Sequence, residues 1–288
     1  MYSFIRNVWL AFCILFSWNT HTLHAASFGS KIALVIGNSE YINIPRLKNA
    51  SNDARAVAHA LSDKGFTVFF AQDASTKELR NILSFTALQA AHADQLVIYY
   101  AGHNKIKNGT TELLGVESTG QTDAIAITIP ELLRYFNAPF TQKAVILDTC
   151  LQNPPESMLT EQQTLFLPNA LGLETLLVFA TTFGQVAYDG TGQHSIFTGA
   201  LLDYMAKNKY NLQNTLQSVR KQVIKNSRSN QIPVSISTLT RPYILNTSPS
   251  VSQNTSSQNT LIQSYSSSGY ADKPLLRTIA VGLNPSGF

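Results

Sequence analysis

Gln95-Leu-Val-Ile-Tyr-Tyr-Ala-Gly-His-Asn104 and Ala144-Val-Ile-Leu-Asp-Thr-Cys150 decide how this chain is to be read. Each opens on an apolar, β-rich run, Gln95 to Tyr100 and Ala144 to Leu147, and each places a reactive side chain, His103 or Cys150, just past the end of the strand that the run predicts. In open α/β sheets, ligands bind at the carboxyl ends of the strands. A thiol with an unperturbed pKa of about 8.5 is only a few per cent ionised at pH 7, so a nucleophilic cysteine needs a base beside it. Histidine titrates in the range that role requires.

Outward from these two segments, strands and helices alternate. Lys31 to Ile36 reads as a buried strand ending at Gly37, and Ser51 to Lys64 as a helix. Ser51 or Asn52 would cap that helix, Ala54, Val57, Ala58 and Leu61 form its apolar stripe, and Gly65 stops it. Phe66 to Ala71 is the next strand. Ser75, with Glu78 three residues on, is a capping box that opens a helix with Leu79, Ile82, Leu83 and Thr86 on one face. Asn108-Gly109 is a hairpin signal within Lys105 to Val116. Ile129 to Phe136 predicts a short helix, Lys143 to Leu147 a fourth strand and Thr175 to Ala180 a fifth. Phe197 to Met205 and Leu212 to Ile224 predict helices, and Val234 to Ile236 a last strand. Such alternation implies an α/β fold, a mainly parallel central sheet with helices on both faces.

The ends of the chain differ from its middle. Arg6, the apolar run Val8 to Phe16 and the small residues Ala25 and Ala26 have the layout of a secretory signal peptide, residues 1–26. The run is short for a bilayer span, and Phe12 before Cys13 argues against a lipoprotein attachment site. Cleavage there leaves an exported chain, periplasmic or secreted, with no integral membrane span. It also removes one of two cysteines and two of six histidines, leaving Cys150 with His59, His92, His103 and His194. A lone cysteine in an exported protein is a reactive thiol or an intermolecular link; the plain alternative is a buried thiol packing as a small hydrophobe. Residues 27–246 form the folded domain, 247–269 a Ser/Thr/Asn/Gln-rich flexible linker, and 270–288 a short segment that regains Leu275, Leu276, Ile279 and Val281. The formal charge is +4 with no Lys/Arg-rich run, so no nucleic-acid footprint is present.

Five stretches, in order, make the chain resemble the caspase-like cysteine peptidases, in particular bacterial metacaspase- and paracaspase-type domains. They are Ala33-Leu-Val-Ile-Gly-Asn-Ser-Glu-Tyr41, Asn52-Asp-Ala-Arg55, Tyr99-Tyr-Ala-Gly-His103, Leu147-Asp-Thr-Cys150, and Ala180 to Ser195 leading into Phe197-Thr198. The 47 residues from His103 to Cys150 suit that family's spacing. The resemblance implies a three-layer αβα caspase-like fold and a His103–Cys150 dyad that opens peptide bonds through a thioester. It implies oxyanion donors at the backbone N–H groups of Cys150 and Asn104, where the family usually has Gly after the histidine. It also implies a substrate (S1) pocket for Arg or Lys, with Asp53, Asp148 and, less directly, Asp189 as its carboxylates; these pair well with guanidinium. His59 and His92 sit in predicted helices and are expected on the surface; His194 follows the fifth strand, from where it could approach the site, but the family gives it no catalytic role. The resemblance assigns no cofactor and no metal ligand; a calcium requirement and the oligomeric state stay open.

Other readings of the same residues remain. Asp53 suits the first turn of a helix for its charge alone, and Asp148 suits a strand end as a loop cap. From Ala144 to Ala206 there is no Lys or Arg, against Asp148, Glu156, Glu161, Glu174, Asp189 and Asp203. That gap fits an acidic pocket wall, although buried strands are poor in Lys in any case. The leading expectation is an exported endopeptidase acting on proteins or peptides after Arg or Lys. The alternatives are a caspase-like binding module of weak or no activity, motivated by Asn104, Leu151 and the low-complexity tail, and an unrelated Cys hydrolase on a similar sheet.

Overall fold

A computed structural model of the chain describes residues 30–107, 110–119, 126–150, 171–182, 187–188, 190, 192–207 and 211–245, with Cys150 described through its backbone. Its strands are β1 (Lys31–Gly37), β2 (Thr67–Gln72), β3 (Gln95–Lys107), β4 (Thr110–Leu113), β5 (Ile127–Thr128), β6 (Gln142–Cys150), β7 (Thr175–Phe179) and β8 (Val234–Ser237). They form one sheet in the order β2-β1-β3-β6-β7-β8, with β4 added to β3 and β5 to β4. Pairing from β2 through β7 is parallel, and the β7–β8 and β3–β4–β5 pairs are antiparallel.

Both sheet faces are covered, which is why β1, β3 and β6 read as continuous apolar runs rather than alternating ones. Val97, Tyr99, Ala101, Ala144 and Ile146 face α1 (Ala50–Ser62), α4 (Ile196–Ala206) and α5 (Leu212–Asn226). Leu96, Ile98, Tyr100, Val145 and Leu147 face α2 (Thr76–Ala90) and α3 (Ile129–Tyr135). The helices thus make the two outer layers of a three-layer αβα fold, as expected.

Local signals explain most element ends. Ser75 and Glu78 form the expected capping box, a feature worth about 1 kcal/mol. Gly65 adopts the left-handed φ of +80° that ends the α1 segment. The expected cap of α1 by Ser51 or Asn52 is corrected. Asn49 is the N-cap and makes no side-chain cap bond. The Ser51 N–H instead donates to Ser39 Oγ at 2.9 Å, because the chain leaving β1 folds back over the helix start.

The expected ends of two strands are corrected as well. β3 continues through His103 to Lys107, because β4 returns alongside it, from Lys107 opposite Thr110 to Asn104 opposite Leu113; the Asn108-Gly109 hairpin signal itself lies outside the described residues. β6 continues through Asp148 to Cys150, because the lengthened β3 offers it a parallel partner up to His103. The positions of the expected dyad are therefore the last rungs of the β3–β6 pairing rather than loop residues. Among the described residues, no helix is long and apolar enough to cross a membrane. The expected signal peptide, linker and C-terminal segment lie outside the described residues.

Candidate active site

His103 and Cys150 are register partners on neighbouring strands. Such strands run about 4.8 Å apart. His103 is buried and fixed on several sides. Its Nε2 lies 2.8 Å from the carbonyl oxygen of Pro45. A carbonyl only accepts, so Nε2 carries the hydrogen of the neutral ring and Nδ1 keeps the lone pair. The Tyr41 ring packs against the imidazole with centroids 4.6 Å apart. Tyr41 Oη accepts the His103 backbone N–H at 2.7 Å, and Tyr100 Oη donates to the His103 carbonyl at 2.9 Å. Burial pushes the Tyr41 hydroxyl up to about 12 and that of Tyr100 well above its ordinary value, so both remain protonated at neutral pH.

Gly102 is required by this arrangement. A Cβ there would lie 2.6 Å from Tyr100 Oη and 2.7 Å from Tyr41 Oη. The Gly-Asn-Ser segment after β1 supplies the rest of the frame. Asn38 donates to the carbonyls of Ala74 and Leu114 and accepts the Ala74 N–H, tying the ends of β1 and β2 to the β4 side.

Asn104 stands opposite Leu113, next to the rung where the Leu114 N–H donates to the His103 carbonyl at 3.1 Å. His103 therefore bonds toward β4, and alternation turns the Asn104 N–H the other way, toward the edge where β6 ends. The Asn104 side chain is buried, and among the described residues neither of its polar atoms has a hydrogen-bond partner.

Two further carboxylates meet at a cleft whose walls include Asp53, Ala50, Ala101, Gly102, Asp148 and Ser195. Asp53 does sit in the first turn of α1, yet it is 1% exposed and its carboxylate reaches across to the loop before α4. Its Oδ1 lies 2.7 Å from His194 Nδ1, and its Oδ2 accepts the Ser195 N–H at 3.1 Å. Asp148 Oδ2 accepts from Ser195 Oγ at 2.5 Å and from Thr198 Oγ1 at 2.6 Å. Since Thr198 donates there, it accepts from Tyr99 Oη, 2.6 Å away. Burial first, then the charges of Asp148 and Asp53, raise the Tyr99 hydroxyl well above its ordinary value and keep it a donor. Ser195 also caps α4, accepting the Thr198 N–H at 2.9 Å. One residue thus joins both carboxylates to a helix N-terminus, where negative charge is favoured.

The chain matches the caspase domain family, Peptidase C14, over residues 30–244. It belongs to that family. The caspase-1 crystal structure from Spodoptera frugiperda is similar, with a TM-score of 0.61 and 17% identity over 77% of this chain and 92% of that one. That likeness is one of fold, and it identifies the sheet and its two helix layers as caspase-like. No curated protein matches the chain.

Of the residues singled out in the sequence, the fold brings His103, Asn104, Asp53, Asp148 and the Cys150 backbone to one end of the sheet. Asp189 and the Cys150 side chain lie outside what is described. His59 is on the exposed side of α1, and His92 is exposed in the turn after α2 rather than within a helix. Sequence reasoning missed Pro45, Tyr41, Tyr100, Ser195 and Thr198, and left His194 unassigned. Tyr41, Tyr100, Ser195 and Thr198 stand inside the motifs that carried the resemblance, which was their only signal. Pro45 acts through its backbone and left none. Among the described residues, no group of three His, Cys, Asp or Glu side chains is placed to hold a metal ion.

Proposed function

We propose that this caspase-family protein is an exported cysteine endopeptidase that uses a His103–Cys150 dyad and cleaves after Arg or Lys. The observation that carries the specificity is the pair of buried carboxylates, Asp53 and Asp148, in one cleft beside the paired ends of β3 and β6. A cation is the ligand that such a cleft suits, and guanidinium meets carboxylates with paired, charge-assisted hydrogen bonds. Asp189 is a third wall by resemblance. Family membership supports peptide substrates, and the N-terminal layout supports export.

The chemistry balances on these residues. The Cys150 thiol gives its proton to His103 Nδ1, whose lone pair the Pro45 contact leaves available. The thiolate attacks the peptide carbonyl carbon, and the oxyanion accepts from the backbone N–H groups of Asn104 and Cys150. Collapse breaks the C–N bond, and the leaving amine takes the proton from the imidazolium. Water then hydrolyses the thioester. A single oxyanion donor of this kind is typically worth about 10²–10³ in rate.

A second reading, a binding module of weak or no activity, is favoured by one observation, the buried Asn104 amide, which has no hydrogen-bond partner among the described residues. Labelling separates the two. A peptidyl-arginine acyloxymethyl ketone should modify Cys150, located by peptide mass spectrometry, while the matching aspartyl reagent should not. Absence of labelling by the arginyl reagent, or preference for the aspartyl one, contradicts the proposal.

A further inference from the structure

We infer that His194 is a specificity-determining residue of the pocket, whose protonation state sets how strongly the pocket holds a basic side chain. The inference rests on the proposed function, in that the cleft between Asp53 and Asp148 receives Arg or Lys. The resemblance assigns His194 no catalytic role, and its contact with Asp53 is visible only in the fold.

His194 Nδ1 is 2.7 Å from Asp53 Oδ1, and its side chain is 30% exposed against 2% for Asp53. The imidazole therefore stands between water and a buried carboxylate of the cleft wall. The loop that carries it is fastened to α1 twice. Asn52 Nδ2 donates to the Gln193 carbonyl at 2.6 Å, and Asn49 Nδ2 to that of Gly192 at 3.5 Å. On the other side Ser195 is fixed by both carboxylates. The ring is thus held at Asp53 by its neighbours on either side.

The charged groups facing it are few. Asp53 comes from α1, and Asp148 from β6 is reached one residue along, through Ser195. The other ionisable side chains of α1 lie elsewhere: Arg55 bonds Gln72, and His59 is in the last turn. α4 has no charged residue before Asp203. Among the described residues, the charge facing the cleft beside His194 is therefore that of two carboxylates and one imidazole.

Neutral His194 donates Nδ1–H to Asp53 and leaves both negative charges to a ligand. Protonated His194 places a cation against Asp53 and repels a second cation entering beside it. Imidazole is the side chain whose charge ordinarily changes between about pH 5 and 8. A like charge within about 4–6 Å typically shifts an equilibrium by one to three pH units, or tenfold and upward; the exposed edge of His194 favours the low end. Acidification should therefore weaken binding of basic ligands about tenfold through His194, separately from any loss of catalysis through His103.

The test is binding of benzamidine, a planar cation, to the full chain carrying Cys150→Ala, measured by calorimetry at pH 7.5 and 5.5. The expected result is about tenfold weaker binding at the lower pH, a change reduced to less than twofold when His194→Asn is added. Asn keeps a donor for Asp53 but cannot charge. Reciprocity supplies a measurement on the unmodified ring. In NMR titration, saturating benzamidine should move the protonation midpoint of His194 about one unit lower. An undiminished pH effect in the His194→Asn chain, or an unmoved His194 midpoint, overturns the inference while leaving the acidic pocket standing. No benzamidine binding at either pH overturns the pocket and the inference together.

Discussion

Asn104 is where this chain departs from its family at the site, and the departure separates what a backbone does from what a side chain does. Its N–H is turned toward the edge where β6 ends, while its buried amide makes no hydrogen bond among the described residues. An unsatisfied buried polar group costs roughly 1–3 kcal/mol. Replacement by Gly restores the residue usual in the family and keeps the N–H, at an entropic cost of roughly 0.5–1 kcal/mol relative to Ala. We therefore expect Asn104→Ala to raise stability by about 1 kcal/mol or more in urea unfolding. Asn104→Gly and Asn104→Ala should both retain turnover, because each preserves the backbone donor. Loss of activity in both variants with the fold intact would assign the function to the amide instead. The tyrosines at this site follow similar logic. Tyr41 and Tyr100 leave room for Gly102 and no more, so the Gly of Ala-Gly-His is imposed by two hydroxyls rather than by its own backbone angles.

At the scale of elements, the start of β7 is tied to the segment after β8 through Glu174. Its Oε1 accepts from both the hydroxyl and the N–H of Thr240, and Gln142 on β6 donates to Oε2 at 3.4 Å. These bonds, the Thr240 hydroxyl foremost, hold the Glu174 carboxyl below its ordinary value. A folded value below the unfolded one, about 4.3, means that the stabilisation is present above that pH and is lost as pH falls through the folded value. Glu174→Gln should therefore lower the urea midpoint at pH 6, and the gap to the parent chain should close as the pH falls below the ordinary glutamate range. A gap that stays constant through that fall would contradict this role.

The elements also show what a sequence can carry. Strand and helix identities were legible because β1, β3 and β6 are apolar on both faces and because Ser75 and Glu78 sit three residues apart. The far ends of β3 and β6 were not, because Asp148, Thr149, His103 and Asn104 are polar residues kept in strands by partners distant in sequence. The cap of α1 failed for the same reason, since Ser39 reaches it from another element. At the site, His103, Cys150, Asp53 and Asp148 stand in motifs and the fold brings those positions to one end of the sheet, whereas the Pro45 carbonyl and the placing of His194 against Asp53 exist only in three dimensions.

For the molecule as a whole, the fold favours one continuous chain. β6 and β7 pair in parallel from Lys143 opposite Thr175 to Leu147 opposite Phe179, so the residues before and after the connection between them share one sheet. If the pocket takes Arg or Lys, that connection offers no cut site, because no basic residue occurs between Ala144 and Ala206. Keeping the two parts joined also avoids the entropy cost of associating separate chains. Mass spectrometry of active protein should find no Cys150-dependent terminus between Leu151 and Glu174; such a terminus would overturn both the single-chain expectation and the basic preference beneath it. The central claim, a His103–Cys150 peptidase with an acidic pocket, is tested most directly by turnover of fluorogenic peptides ending in Arg and in Asp. The parent chain should hydrolyse the Arg peptide and not the Asp peptide. Cys150→Ala, His103→Ala and the double variant should all lose that turnover to a similar extent, since the two residues act as one unit. Undiminished Arg-peptide hydrolysis by Cys150→Ala, or equal hydrolysis of the two peptides by the parent chain, would contradict the account.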